Sequence, residues 1–259
     1  MAPNDPLSPA ISVVIVVRNA ESTVATAVRS GRWAQELLVV DTGSSDRTAE
    51  IARQEGARVL SHFWEGYSVT KQWAVDQAKH DWVFLLDADE EIPEALAMEI
   101  RKALSSVPDS VRGFSCSRRN HFLGKRMQWG GWSGDRVVRL FRKAYGRFTD
   151  VRVHESIRID GDLGLLRTPL EHRTDESLEA YLDKLNEYTS LGAQDLFERG
   201  RQCRWWDLCL RPTWMFLRMA VLKLGLFDGW RGMLLAALSS VHVLVKYAKL
   251  RHLIANRRT

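Results

Sequence analysis

The sequence predicts an α/β fold with a mostly parallel central sheet flanked by helices, followed by a helical C-terminal extension. The β-branched run 11–17 is the mark of a strand buried on both faces, and 36–40 reads as a second buried strand. They alternate with helix-forming stretches, and this alternation implies right-handed crossovers between parallel strands. The charge also changes sign along the chain. From Arg201 to the end there are 11 Lys/Arg against 2 Asp/Glu, so with an overall charge of +5 the first 200 residues carry −4.

Each element has a local cause. After the strand at 11–17, a helix is expected over about 21–30, then a strand at 36–40 ending at Asp41. The turn Gly43-Ser44-Ser45-Asp46 leads into a helix with Ser45 or Asp46 as N-cap and Gly56 as terminator. A short strand at 57–60, a helix at 69–79 and a fourth strand at 82–86 follow. Pro93 opens a helix to about 104. Stretches 112–119, 136–142 and 155–159 read as strands of mixed polarity, and the glycine-rich segment 130–135 reads as a mobile loop over a site. A long polar helix is expected at 177–199. The predicted division is a first domain over 1–172, with halves at about 10–91 and about 92–172, and a helical, basic C-terminal region over 173–259.

Composition bounds the function. With 45% hydrophobic and 27% charged residues, the chain can build a core and is not a disordered protein. The three cysteines, Cys116, Cys203 and Cys209, lack Cys-x-x-Cys spacing and read as reduced thiols. The first residues have neither the basic start nor the apolar run of a signal peptide, so a cytoplasmic location is expected.

In open parallel sheets ligands bind beyond the carboxyl ends of the strands. Asn19, Asp41 and the triplet Asp87-Ala88-Asp89 all fall at such ends. Paired carboxylates there suit Mg2+ or Mn2+, which take one or two protein carboxylates and share the rest of their shell with phosphate and water. No Gly-x-Gly-x-x-Gly and no P-loop accompanies them. Asn19, Glu21, Asp41, Lys71, Asp87 and Ala88 are therefore candidates for holding a nucleotide. Asp41 could equally cap its own turn, and Asp46 reads as a helix cap. Asp89 is the candidate metal ligand, and His154 is either a further ligand or a group that orients the attacking molecule. An attacking hydroxyl needs a carboxylate to take its proton; Glu155 is the first candidate and Asp135 the alternative. Glu90 and Glu91 read as the solvated start of a helix. Trp132 and Arg136 are candidates for binding the acceptor.

The blocks Ile11–Asn19, Val39-Val40-Asp41-Thr42-Gly43-Ser44-Ser45-Asp46 and Leu85-Leu86-Asp87-Ala88-Asp89 resemble those of glycosyltransferase family 2 with its GT-A fold. The resemblance implies that Asp41 recognises the uracil of a UDP-sugar, Asp89 ligates the metal, and Asp87 meets the ribose or a metal-bound water. It also implies one in-line displacement with inversion. Thr42 stands where many members have a second Asp, Lys71-Gln72 where an Arg-Asn pair is common, and His154-Glu155 where many have Glu-Asp. Arg211-Pro212, Lys223-Leu224-Gly225, Asp228-Gly229 and Lys246-Tyr247-Ala248-Lys249-Leu250 are similar to the bacterial lipopolysaccharide inner-core β-glucosyltransferases of this family. That implies UDP-glucose as donor and a lipid-linked core oligosaccharide, at a heptose, as acceptor.

At 100° per residue, Arg231, Ser239, His242, Lys246 and Lys249 form a polar stripe opposite Trp230, Leu234, Val241, Leu244, Val245 and Ala248. That pattern predicts an interfacial helix at the cytoplasmic face of an anionic inner membrane, its apolar run falling short of a span. The same tail also fits an ordinary helical subdomain. Other classes are a family 2 transferase with a different lipid-linked or polysaccharide acceptor, a nucleotidyltransferase, disfavoured by the absence of a basic glycine-rich loop after the first strand, and a non-catalytic membrane binder. No nucleic-acid partner is expected.

Overall fold

Strands form where the chain offers β-branched residues to both sides of a sheet. A computed structural model describes residues 9–132, 134–149, 157–174 and 177–257. His154 and Glu155, expected as metal ligand and base, lie outside the described residues. The N-terminal half alternates strictly: β1 (Ile11–Val17), α1 (Val24–Ser30), β2 (Glu36–Asp41), α2 (Thr48–Gln54), β3 (Arg58–Ser61), α3 (Tyr67–Asp76) and β4 (Trp82–Asp87). Then come β5 (Glu90–Glu91), α4 (Glu94–Leu104), β6 (Val111–Phe122), β7 (Lys125–Arg126), β8 (Arg136–Arg142), β9 (Gly146–Phe148), β10 (Ile157–Ile159), β11 (Asp162–Leu165) and β12 (Leu170–His172). Three long helices close the chain: α5 (Leu178–Glu198), α6 (Trp205–Leu217) and α7 (Trp230–Asn256).

The main sheet runs β3-β2-β1-β4-β8-β6-β12-β5, parallel from β3 through β4 and antiparallel where β8 joins β4 and β6. Side chains alternate across it as a period of two requires. Ile11, Val13, Ile15 and Val17 pack with Phe84, Leu86 and the Leu96/Ile100 face of α4, while Val14, Leu38, Val83 and Leu85 pack with Ala74 and Val75 of α3. Both faces are covered by helices, which explains why these strands carry no polar alternation.

Turn chemistry sets the short helices. The expected cap at Ser45 or Asp46 is corrected by one or two residues: Arg47 is the N-cap of α2 and makes no side-chain cap, while Asp46 accepts the Thr48 N–H at 3.0 Å in the turn just before it. At the other end Gly56 has φ +91°, its N–H bonds Arg53 O and the Ala57 N–H bonds Ala52 O, so the helix closes in a Schellman motif. At the foot of the sheet, buried Glu36 accepts from Ser12 Oγ (2.6 Å), Arg58 Nη2 (2.8 Å) and Lys79 N (2.7 Å), joining β1, β2, β3 and the turn before β4.

The chain divides into two compact units, 9–118 with 136–173, and 119–135 with 174–257. In the second, Ser177 caps α5 by accepting the Ala180 N–H. Phe122 and Met127 pack there with Met219, Ala220, Leu235 and Ala236, and Ala193 of α5 packs with Val243, Tyr247 and Leu250 of α7. Within the stretch 130–135, expected to be a mobile loop, Gly130 and Trp132 are tethered in this unit: Gly130 N bonds Lys223 O, and Trp132 O accepts from Asn120 Nδ2.

Two expectations for the tail are corrected. The run beginning at Arg231 belongs to a helix of 27 residues, long and apolar enough to cross a membrane by length and composition, because helical structure continues past His242 and Lys246 to Asn256. The polar stripe of α7 also does not face outward. Lys249 Nζ donates to Asn186 O, Thr189 Oγ1 and Ser190 Oγ of α5 at 2.7–2.8 Å, and Lys246 lies against Gly192, where burial pulls its pKa down. Trp230, Val241, Leu244 and Ala248 of the opposite side are exposed.

Candidate active site

Register brings the rim together. Asp41 ends β2 opposite Val17, and Asp87 ends β4 opposite Val16, so two carboxylates flank β1 at its carboxyl end. Two strand spacings separate them, roughly 10 Å.

Asp41 is buried, and its carboxylate accepts from Ser44 N (3.2 Å) and Ser44 Oγ (2.5 Å), so it caps the turn at Gly43, whose φ is +96°. Thr42 faces back, its hydroxyl donating to Val17 O at 3.0 Å. Asn19 and Glu21 join the loop after β1 to the loop after β2. Asn19 takes a left-handed φ of 49°, accepts the Ser45 N–H at 2.8 Å and donates its own N–H to Ser44 Oγ. Glu21 N donates to Asp46 Oδ2 and its carboxylate accepts the Arg47 N–H.

Asp87 is held on both oxygens. Lys71, buried on α3, donates to Oδ1 at 2.9 Å, and Arg139 of β8 bonds Oδ2. Arg139 is itself buried and also donates to Glu90 Oε1 at 2.5 Å, while Glu90 Oε2 accepts the Asp87 N–H at 3.0 Å and Arg118 stands 3.6 Å from Glu90. Burial alone would push the Asp87 carboxyl upward. The Arg139 and Lys71 charges overcome it and hold that carboxyl far below the usual range, and Asp87 and Glu90 raise the Arg139 pKa in return. Glu90 is 1% exposed, which corrects its reading as a solvated helix start. Ala88, between the two aspartates, packs partly against the core.

Asp89 is half-buried, with His172 Nε2 at 3.5 Å from its Oδ2 and its carbonyl accepting the Arg173 N–H. The β5–β12 ladder, pairing His172 with Glu90, fixes that approach. Among the described residues no three His, Cys, Asp or Glu side chains group to hold a metal unaided. One carboxylate with a neighbouring imidazole on a strand-end rim fits a hard divalent cation that completes its shell with phosphate oxygens.

The sequence reading therefore finds Asp41, Lys71, Asp87 and Asp89 on one rim, and misses Arg139 and His172. Their signal was weak: an arginine in a strand of mixed polarity and a single histidine 83 positions after Asp89. Trp132 belongs to the helical unit and packs edge-on against Phe122. Asp135 immediately precedes β8, and Arg136, its first residue, is exposed. The rim can hold an anion through Lys71, keep a cation at Asp89, and offer hydrogen-bonding groups two strands away at Asp41.

The sequence model described as Glycosyl transferase family 2 matches residues 12–157. The lipopolysaccharide core biosynthesis glycosyltransferase LpsC of Rhizobium meliloti is 30% identical over 95% of this chain and 94% of its own. An uncharacterised glycosyltransferase, RT0209, of Rickettsia typhi is 27% identical over 96% of this chain and 89% of its own. Among solved structures, glucosyl-3-phosphoglycerate synthase from Mycobacterium tuberculosis, crystallised with Mn2+, UDP and phosphoglyceric acid, is 16% identical with a TM-score of 0.48 over 75% of this chain and 80% of that one.

Proposed function

The chain belongs to glycosyltransferase family 2, and on that premise we propose that it transfers glucose from UDP-glucose, with inversion, to a heptose of a lipid-anchored lipopolysaccharide core. It is a glycosyltransferase of the α/β GT-A class expected from the sequence. The finer reading rests on the rim, where Asp41, the Lys71–Asp87 pair and the Asp89–His172 pair line the carboxyl edge around β1. The roughly 10 Å between Asp41 and Asp87 suits a nucleoside lying along the strand ends, base at Asp41 and diphosphate at Lys71. The likeness to LpsC along nearly its whole length supports the acceptor class.

In the proposed reaction the acceptor hydroxyl oxygen bonds to the anomeric carbon as the bond from that carbon to the diphosphate breaks. UDP departs, and the hydroxyl proton passes to Glu155, with Asp135 as the alternative base. A divalent cation at Asp89 and His172 would neutralise charge on the leaving diphosphate; His154 is the second candidate ligand from the sequence. Lys71, released from Asp87, meets the same phosphates. Arg139 stays on Asp87 and Glu90 and keeps the Asp87–Asp89 turn in place. Trp132 and Arg136 are proposed to bind acceptor. The protein works peripherally at the cytoplasmic face of the inner membrane, where such an acceptor is presented.

A donor screen that follows UDP release with Mn2+ or Mg2+, with and without lipid-linked core acceptor, tests this. UDP-glucose with acceptor is expected to give the fastest release. Asp89→Ala is expected to abolish it with the fold retained, and His172→Ala to raise the metal requirement. Full turnover with the metal chelated would refute the metal site, and no release from any UDP-sugar would refute the donor class.

A further inference from the structure

We propose that the helical unit docks on an anionic bilayer through an apolar ridge formed by α6, α7 and the turns between them, entering one leaflet as a wedge without crossing it. The inference deepens the lipid-anchored acceptor reading and rests on it for its biological setting.

The ridge is built from exposed apolar residues that follow one another along the chain. Trp206, Leu210, Trp214 and Leu217 recur at four-, four- and three-residue spacing on α6, and all four are exposed. The chain then makes a π-helical turn at Arg218–Leu222 and a 3-10 turn at Gly225–Asp228. There Val221, Leu222, Leu224, Leu226 and Phe227 are exposed, Phe227 at 64%. The pattern resumes on α7 with Trp230, Met233, Val241 and Leu244. A soluble domain rarely leaves so many large apolar side chains exposed along one stretch of chain.

Charge selects the occupant. From Arg201 to Arg257 the carboxylates are Asp207 and Asp228, and both are buried. Asp207 bonds Arg211 and Arg204 N, and Asp228 accepts the N–H groups of Gln128 and Trp129. Every exposed ionised side chain on this stretch is therefore a cation: Arg201, Arg204, Arg211, Arg218, Lys223, Arg251 and Arg257. Two tryptophans of the ridge carry an arginine over the ring, Arg204 on Trp206 at 5.1 Å and Arg231 on Trp230 at 4.6 Å. Apolar body, tryptophan and cation together are the pattern of a surface at the level of anionic headgroups.

The wedge stops within a leaflet because α7 is committed on its other side. Only 28% of its most apolar stretch is buried, too little for a core helix. Its lysines, however, are spent on α5: Lys249 makes hydrogen bonds to three α5 residues, and Lys246 lies against Gly192. A span would carry those buried polar contacts into hydrocarbon or break them.

The test uses the full chain and vesicles of phosphatidylcholine with or without phosphatidylglycerol, read by flotation and by tryptophan quenching with brominated lipids. Wild type is expected to float with the anionic vesicles and to be quenched most by shallow bromines. Leu210→Glu/Trp214→Glu/Leu217→Glu, all at exposed positions, is expected to weaken flotation by about a hundredfold, since each lost apolar contact multiplies. The control Met98→Glu/Leu163→Glu/Leu165→Glu makes the same charge change on the other unit and is expected to bind within about twofold of wild type. Ridge-variant flotation equal to wild type, or a wild-type dimer dissolved by the same three substitutions, would overturn the proposal. Protease cleavage of α7 from the vesicle lumen would overturn the single-leaflet mode. Vesicle binding needs neither donor nor acceptor, so UDP release with a soluble core fragment reads the enzymatic proposal separately.

Discussion

Arg139 is one buried guanidinium with two carboxylates depending on it. Replacing it with Met leaves Asp87 and Glu90 without their shared cation, and removing one partner of a buried ion pair costs about 3–5 kcal/mol. Arg139→Met is therefore expected to lower the urea midpoint sharply. Adding Glu90→Gln should recover part of that loss, and Arg139→Lys should recover charge but not the two-anion geometry. Denaturation of the single and double variants gives the coupling directly. Glu36 supplies a second residue-scale case. Burial opposes its ionisation, but Ser12, the Lys79 N–H and Arg58 outweigh it, so its folded pKa lies below the ordinary Glu value. A carboxyl depressed in the folded state stabilises above its unfolded pKa, about 4.3, and that contribution disappears as pH falls through the lower folded value. Glu36→Gln is expected to be less stable at pH 7, by about 1–3 kcal/mol, and to lose less than wild type on acidification below pH ~4. Equal acid slopes in the two proteins would contradict this. At this scale Asp41, Asp87 and Asp89 were legible because an acid directly after a buried apolar run has one place to go. Arg139 was not, because an arginine inside a strand looks the same whether it faces water or a carboxylate brought from 50 residues away.

At the scale of elements, local chemistry was legible and long-range packing was not. The strands β1, β2 and β4 followed from apolar runs and the end of α2 from Gly56, while the start of α2 fell at Arg47 and not at Ser45 or Asp46. The outward side of α7 was misread because a basic stripe predicts a direction only if water or lipid is its neighbour, and here α5 is. Two glycines separate the local and packing contributions. A Cβ on Gly56 meets open space, so Gly56→Ala bears only the left-handed backbone cost, about 1–2 kcal/mol. A Cβ on Gly232 falls 2.0 Å from the Gly225 carbonyl oxygen, a backbone atom within the turn that joins α6 to α7. Gly232→Ala is expected to be the more damaging of the two and to reduce tryptophan burial in the helical unit. Thermal unfolding followed by fluorescence and by circular dichroism checks both, and the order would have to reverse to contradict the packing argument.

For the whole molecule, charge is partitioned along the chain: residues 1–200 are net negative, and those from 201 onward carry +9. Both sources of bilayer attraction, cations and apolar ridge, lie on the second stretch, and they respond differently to salt. Each Lys or Arg near an anionic surface contributes about 1 kcal/mol, screened over about 10 Å at 0.1 M salt and about 3 Å at 1 M. Insertion of the ridge is unaffected or slightly strengthened by salt. Binding to phosphatidylglycerol vesicles should therefore fall steeply between ~0.05 and ~0.5 M salt and level off at a floor instead of vanishing. Arg218→Gln/Lys223→Gln, at exposed positions of the turn, should flatten the slope and leave the floor. The triple glutamate variant of α6 should remove the floor. If charge substitutions erased the floor, or if binding fell to zero with salt in the wild type, attraction would be electrostatic alone and the exposed tryptophans would need another occupant.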